Sequence, residues 1–353
     1  MTEPIIEING RRVGQGCPAY IIAEMSANHN QDFAEAVKII EAAKEAGADA
    51  VKLQTYTPDT ITIDCDNEYF RIQGTLWDGQ RLYDLYSKAF TPWDWQPKLK
   101  ALANGMGLDL FSAPFDETAV DFLENMNVPA YKIASFEIVD LPLIRKVAQT
   151  GKPVILSTGM ATQSEIGEAV EILRDHGSRM VLLKCTSVYP ALPDEMNLRT
   201  IPDLAKAFQV PVGLSDHSMD AAVPVAAVAL GACVIEKHLT LSRAVPGPDS
   251  AFSLEPKEFK EMVEAVRTAE KALGKVHYGV SEHEPESLSL RRSLFVVRDM
   301  KSGEKFTSET VRSIRPGHGL STRYLGDILG HVASRDVKRG TPLTWDLVVG
   351  DRR

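Results

Sequence analysis

The chain has 353 residues, 44% hydrophobic and 25% charged, with a net charge of -9. That length exceeds one average domain, and the ordinary globular balance excludes disordered, low-complexity or collagen-like tracts. The negative charge argues against a nucleic-acid surface, so an anionic substrate must be held by a local cluster of cations. Cys17, Cys65, Cys185 and Cys233 stand far apart without a C-x-x-C pair, the pattern of free thiols in a reducing compartment. With no apolar run of membrane-spanning length, and no signal-like pattern in MTEPIIEINGRR, the expected location is the cytoplasm.

AYIIAEM (from Ala19) reads as a strand, and DFAEAVKIIEAAKEAG (from Asp32) as the helix that follows it, with apolar residues at helical spacing and a terminal Gly. The same alternation recurs with strands DAVKLQT from Asp49, DLFSAPF from Asp109, AYKIAS from Ala130, PVILSTG from Pro153, MVLLKCT from Met180, PVGLSDHS from Pro211 and CVIEKHLT from Cys233. Helical stretches between them include ETAVDFLENMN, PLIRKVAQTG and SEIGEAVEILRDHG, and EPKEFKEMVEAVRTAEKALG follows the last strand. Repeated strand-then-helix units of this number predict an α/β fold, a (β/α)8 TIM barrel over residues 1–277. An open doubly wound sheet is the alternative, but no G-x-G-x-x-G follows the first strand.

One connection, from Thr57 to Thr91, is unusually long and carries Trp77, Tyr83 and Tyr86. Loops after barrel strands lie on the catalytic face, so this excursion reads as a substrate cover. Its aromatics also suit plain packing onto the barrel rim. After a polar linker over 278–291, RDMKSGEKFTSETV (from Arg298) aligns without gaps on RDVKRGTPLTWDLV (from Arg335). This internal repeat predicts a small C-terminal β-rich domain over 292–353, two copies packed about a pseudo-twofold axis.

Polar residues gather at the strand ends: Glu24, Lys52 with Gln54, Lys132 with Ser135, Ser157, Ser215 with His217, and Glu236 with His238. Residues two apart on a strand share a face, so Lys52 and Gln54 point one way, as do Ser215 with His217 and Glu236 with His238. Charged groups at a barrel mouth are costly to desolvate unless they bind something. His217 and His238 end neighbouring strands and suit a divalent metal, although a single strand histidine is more often a hydrogen-bonded core residue. Two ligands are too few for structural zinc and suit a six-coordinate ion, Mn2+ or Mg2+. Lys52 and Lys132, with Ser135, Ser157 and Ser215, offer the ammonium and hydroxyl groups that a phosphorylated substrate needs. Each serine alone also reads as a turn or helix cap. Glu24 is a candidate acid or base, or the salt-bridge partner of a nearby lysine.

IIAEMSANHN, GADAVKLQT, PAYKIASFEI, KPVILSTGM, LLKCTSVYP, GLSDHS, IEKHLT and PGPDSAFS, with RPGHG in the tail, closely resemble the sialic acid synthase family through nearly the whole chain. The tail resembles that family's antifreeze-like (SAF) domain. The resemblance implies a transferase that condenses phosphoenolpyruvate with an acetamido sugar aldehyde, releasing phosphate. It also implies a domain-swapped homodimer. It assigns His217 and His238 to the metal, and Lys52, Lys132, Ser135, Ser157 and Ser215 to phosphoenolpyruvate. Glu24 would deprotonate the attacking water. Gln54, Glu137, Tyr189 and Asp249 look like sugar contacts, and Arg315 of RPGHG would enter the partner's site. Ala113 stands where some members carry a hydroxyl, and Ser187, a further substrate-binding candidate, where the N-acetylneuraminate enzymes have Asn. GTLWDGQRLYDLYSKAFTPWDW and YKIASFEIVDLPLI look more like the pseudaminic acid branch. That branch uses 2,4-diacetamido-2,4,6-trideoxy-L-altrose, with N-acetylmannosamine and the legionaminic acid precursor as alternatives. A lysine Schiff base on Lys132, a metal-dependent hydrolase and a non-catalytic sugar-binding protein are the competing readings.

Overall fold

The computed structural model describes residues 4–350. The chain divides into two compact units, Met1–Gly274 and Lys275–Arg353. The first opens on an antiparallel hairpin that sequence reading did not mark, β1 (Ile5–Ile8) and β2 (Arg11–Gly14). Its strands are too short to show alternation, but Ile8 and Val13 are fully buried in the main core.

Eight parallel strands follow: β3 (Tyr20–Glu24), β4 (Ala50–Thr55), β5 (Asp109–Pro114), β6 (Tyr131–Ile133), β7 (Val154–Ser157), β8 (Met180–Cys185), β9 (Val212–Asp216) and β10 (Val234–His238). They close into a barrel in the order β10-β3-β4-β5-β6-β7-β8-β9, with β10 pairing β3 in register His238 to Glu24. The strands are buried on both faces, which is why they read as near-continuous apolar runs whose polar residues gather mainly toward their C-terminal ends. Local chemistry starts the outer helices where the sequence asks for it. Asp32 caps Phe33–Glu45, Asp116 caps Glu117–Asn125, and Thr162 with Glu165 forms a capping box on Gln163–Asp175. At the opposite end of the barrel, Tyr20 donates to Asp109 at 2.7 Å and Arg267 pairs with Asp49 at 2.9 Å. Asn9 of the hairpin donates to the same Asp109 at 2.6 Å, so the hairpin covers the strand starts.

The long connection after β4 holds two short helices, Pro58–Ile61 and Leu82–Ala89. Tyr56 packs edge-on to Tyr86 at 5.6 Å, and His29 bonds Thr91 at 3.1 Å, which pins both ends of the excursion to the barrel. Burial pushes the His29 ring down to about 4, so this clip is neutral at ordinary pH.

In the second unit, β11 (Ser293–Val296) pairs β12 (Val311–Ile314), and β13 (Val332–Ala333) pairs β14 (Val348–Val349), both antiparallel. The 278–291 stretch is not bare chain: it carries the 3-10 turn Pro285–Leu290, and Ser289 accepts from Gly317. The two repeat copies exchange equivalent contacts. Met300 and Val337 bond each other through both backbone groups, Lys301 pairs with Asp336 at 2.7 Å, and Lys338 pairs with Asp299 at 2.8 Å. That reciprocity is the signature of a local twofold. Among the described residues no helix is long and apolar enough to cross a membrane, and the four cysteines are free thiols.

Gly213 on β9 shows how tightly the barrel wall is packed. A Cβ there would meet the Val234 carbonyl oxygen at 2.4 Å and Leu183 at 2.7 Å. Gly213→Ala is expected to cost about 1–3 kcal/mol through overpacking, read as a lower midpoint in thermal unfolding of the barrel.

Candidate active site

Strand alternation delivers the charged residues to one place. Lys52 of β4 reaches two carboxylates, Glu236 of β10 at 2.7 Å and Glu24 of β3 at 3.1 Å, with all three side chains buried. Ser215 of β9 donates to the same Glu236 oxygen at 3.2 Å, and Lys132 of β6 lies 3.8 Å from it. Lys132 also donates to the Ile133 carbonyl at 3.0 Å. The residues predicted to grip an anion thus converge on an internal anion, Glu236.

Burial works against the Lys52 ammonium, but Glu236 and Glu24 outweigh it and hold its pKa above the usual lysine value. Lys132 lacks such close partners, and burial brings it down to about 8. The two carboxylates share one environment and separate. Burial raises Glu24 to about 7, opposed by Lys52 and reinforced by Glu236. Glu236 is depressed despite its burial, because Lys132 and Lys52 both face it. Glu236 therefore carries the fixed negative charge, and Glu24 is the group poised to take or give a proton near neutrality.

Gln54 links this centre to the next cluster, donating to Glu24 at 3.2 Å and to Ser26 at 2.8 Å. The Ser26 hydroxyl in turn donates to Asp249, whose carboxyl is raised by burial.

Beyond β6 and β7 lies a hydroxyl cradle. Ser135 accepts from the Gly159 amide at 3.2 Å, and a Cβ on Gly159 would sit 2.3 Å from the Ser187 hydroxyl and 2.7 Å from that of Ser135. Only glycine leaves that space open. Ser157 at the end of β7 is buried with no hydrogen-bond partner for its hydroxyl. Glu137 follows Ser135 on the 3-10 turn Ser135–Val139, raised by burial to about 7 against the pull of Lys132. Ala113 is buried and apolar in β5.

His217 and His238 stand side by side, ring centroids 5.3 Å apart. His217 is fixed through Nδ1 against the Thr186 carbonyl at 2.9 Å, and Cys185 Sγ lies 4.0 Å from the same nitrogen. Burial lowers the His217 pKa, but Cys185 outweighs it and holds it above the ordinary range. His238 is buried with Nδ1 unpartnered, and burial followed by the His217 charge drives its pKa far down. Tyr189 lies against His217 at 4.4 Å and Phe252 against His238 at 5.0 Å. Trp77 of the excursion donates to the Pro248 carbonyl at 2.9 Å and packs on both Tyr189 and Phe252. An orphaned buried imidazole nitrogen beside a second, oriented imidazole fits a divalent cation whose other positions go to water and substrate. Among the described residues no group of three or more His, Cys, Asp or Glu side chains converges as a protein-only metal cage.

The predicted candidates of the barrel thus fall into one charged centre, one hydroxyl cradle and one imidazole pair. Arg315 lies in the second unit, exposed on the turn after β12. Sequence reading placed Glu236 at the mouth without a role, and it did not single out Ser26, Cys185 or Gly159. The inward register shared with His238 was the signal for Glu236. Ser26, Cys185 and Gly159 are short residues whose importance comes from contacts across the barrel, which no local pattern displays.

Buried ammonium groups and paired imidazoles here lie at the C-terminal ends of a closed parallel barrel, the face on which β/α-barrel enzymes carry their catalytic residues. The NeuB family matches residues 39–278 and the SAF domain residues 291–349. The chain belongs to the NeuB family. It is 46% identical over 334 residues to the pseudaminic acid synthase of Helicobacter pylori, covering 93% of this chain and 97% of that one. Its identity to the pseudaminic acid synthase of Campylobacter jejuni serotype O:2 is 47% over 325 residues, 92% and 95% of the two chains. In three dimensions it is similar to the N-acetylneuraminic acid synthetase of Leptospira borgpetersenii, with a TM-score of 0.73 and 32% identity over 81% of this chain and 95% of that one.

Removing the charge on Glu236 leaves two buried ammonium groups without their shared counter-ion. Glu236→Gln is expected to cost about 3–5 kcal/mol of stability, measured by urea unfolding at pH 7. Adding Lys52→Met should recover part of the loss.

Proposed function

We propose that this chain condenses phosphoenolpyruvate with 2,4-diacetamido-2,4,6-trideoxy-L-altrose and water to give pseudaminic acid and phosphate. The observation that carries the reading is the convergence of Lys52, Lys132 and Ser215 on one buried carboxylate oxygen beside two imidazoles. Two cations and a hydroxyl that satisfy an internal carboxylate are already spaced for the oxygens of an external phosphate. The identity of 46% and 47% to two pseudaminic acid synthases, against 32% to an N-acetylneuraminic acid synthetase, supports this acceptor over N-acetylmannosamine.

Lys52 and Lys132 bind the phosphate and carboxylate of phosphoenolpyruvate, and Ser135, Ser157 and Ser187 complete the cradle. A divalent ion, Mn2+ or Mg2+, on His217 and His238 would supply Lewis-acid polarisation of the sugar aldehyde. Gln54, Glu137, Tyr189 and Asp249 orient the sugar. Glu24 takes the proton of the water that adds to the enol-derived carbon, and Lys52 and Lys132 stabilise the negative charge that leaves with phosphate. The excursion over Trp77 excludes bulk water from the imidazole side of the mouth.

The exposed apolar residues Phe136, Val139, Met160, Val188 and Leu192 on the loops after β6, β7 and β8 support burial of this rim against a second copy, whose Arg315 would reach the acyl end of the sugar. Free thiols support a cytoplasmic workplace.

The decisive assay follows free phosphate from protein incubated with Mn2+, phosphoenolpyruvate and one sugar at a time. Release only with the trideoxy-altrose is expected. Release with N-acetylmannosamine or the legionaminic precursor instead reassigns the acceptor, release without sugar indicates a phosphatase, and none at all indicates a binding protein. The low pKa of Lys132 also suits a Schiff base. Borohydride with pyruvate tests that second reading, and no covalent adduct is expected.

Glu24 must be deprotonated to act as a base, so kcat/KM should rise as pH increases through about 7. Lys132 must be protonated to hold an anion, so KM for phosphoenolpyruvate should climb as pH increases through about 8. A pH profile would lose its acidic limb in Glu24→Gln and have its alkaline limb moved upward in Lys132→Arg. Filling the cradle with Gly159→Ala should raise KM for phosphoenolpyruvate by about tenfold or more with the fold intact, as judged by steady-state kinetics beside circular dichroism.

A further inference from the structure

Behind the two imidazoles, on the opposite face of the same strands, lies a second ion pair that none of the chemistry above uses. Asp216 and Lys237 are register partners across β9 and β10, joined at 2.6 Å, with both side chains fully buried. They immediately precede His217 and, in the neighbouring strand, His238. Strand alternation sends them outward toward the helix layer while the imidazoles point inward. Val51, Leu53, Ile133, Leu156, Leu214 and Ile235, which also face outward, are apolar and fully buried, and the polar outward residues are either uncharged, as Thr55 and Ser112 are, or only half-buried, as Lys184 is. The helix Ala222–Ala229 that packs over β9 is AVPVAAVA and offers no polar group. Burying two charges in such a layer gains little stability over an apolar pair of the same volume. The pair nevertheless makes directional bonds that an apolar pair cannot. Asp216 Oδ1 accepts from the Ser218 amide at 2.8 Å, and Lys237 Nζ donates to the Ser218 carbonyl. Both backbone groups of the residue after His217 are therefore gripped from β9 and β10 together. On its other side His217 is held by Thr186 through its ring and by Ala191 through its carbonyl.

The geometry points to Asp216 and Lys237 as positioning residues for a divalent cation: the pair sets the separation and rotation of the His217 and His238 rings through the Ser218 backbone. This rests on the metal reading of those histidines. The test measures Mn2+ binding to metal-free protein by isothermal titration calorimetry and by loss of the free-ion electron paramagnetic resonance signal, beside thermal unfolding. Asp216→Leu/Lys237→Met replaces the pair by apolar side chains of similar size. The expected result is a folded protein whose Mn2+ dissociation constant rises by about 10- to 100-fold, the range for loss of a group that orients a ligand. Asp216→Asn keeps the shape and the Ser218 cap while weakening the bond to Lys237. It should lower the unfolding midpoint, because Lys237 is left buried without its counter-charge, and weaken Mn2+ binding by a smaller factor at a temperature where the variant is folded; it carries the test should the double variant fail to fold. Folded variants that bind Mn2+ as tightly as the wild type overturn the positioning role. A wild-type protein that binds no Mn2+ overturns the metal reading itself, a distinguishable result.

Discussion

A single carboxylate oxygen, on Glu236, organises the barrel mouth. Lys52, Lys132 and Ser215 arrive from three other strands and meet there, and the two ammonium groups would be costly to bury without that shared carboxylate. The closed order of the strands makes the meeting possible, since β10 lies between β9 and β3, with β4 one strand beyond β3 and β6 directly across the mouth. The proton balance of the centre follows. Glu236 takes the counter-ion role, and Glu24 is left near neutrality with a proton to trade. Two carboxylates of similar intrinsic acidity acquire different work from their neighbours alone.

The same logic separates two lysines. Lys52, held between two carboxylates, stays charged under any ordinary condition, whereas Lys132 is brought down to about 8. The mouth therefore presents one permanent cation and one whose charge depends on the medium. The hydroxyls of the cradle beside them carry no charge of their own, and its capacity is set by the absent side chain of Gly159.

Much of this was legible in the chain. The barrel strands begin within a residue of the positions read from apolar runs and end up to two residues before them, because strands buried on both faces leave a clear apolar pattern. The pairing of His217 with His238, and the inward direction of Lys52 and Gln54, followed from alternation alone. The β1–β2 hairpin was not legible, since four-residue strands show too few alternations to stand out. The two helices of the Thr57–Thr91 excursion were hidden for a related reason: each is short and held by tertiary contacts such as Tyr56 with Tyr86, not by its own periodicity. Glu236 was visible as a residue but not as a hub, because a hub is defined by partners distant in sequence. Asp216 and Lys237 carried no local signal of a role, because their full burial and mutual pairing depend on the barrel wall around them.

The duplicated C-terminal module places cause and effect in different halves. Asp299 belongs to the first copy, yet it neutralises Lys338 and caps the Arg339 amide in the second, while Asp336 does the same for Lys301 and Ser302 in the first. A lesion in one copy would thus surface as slackness in its twin, and comparing the two by their own internal contacts would point to the wrong culprit. The repeat thus gives mutual custody instead of redundancy.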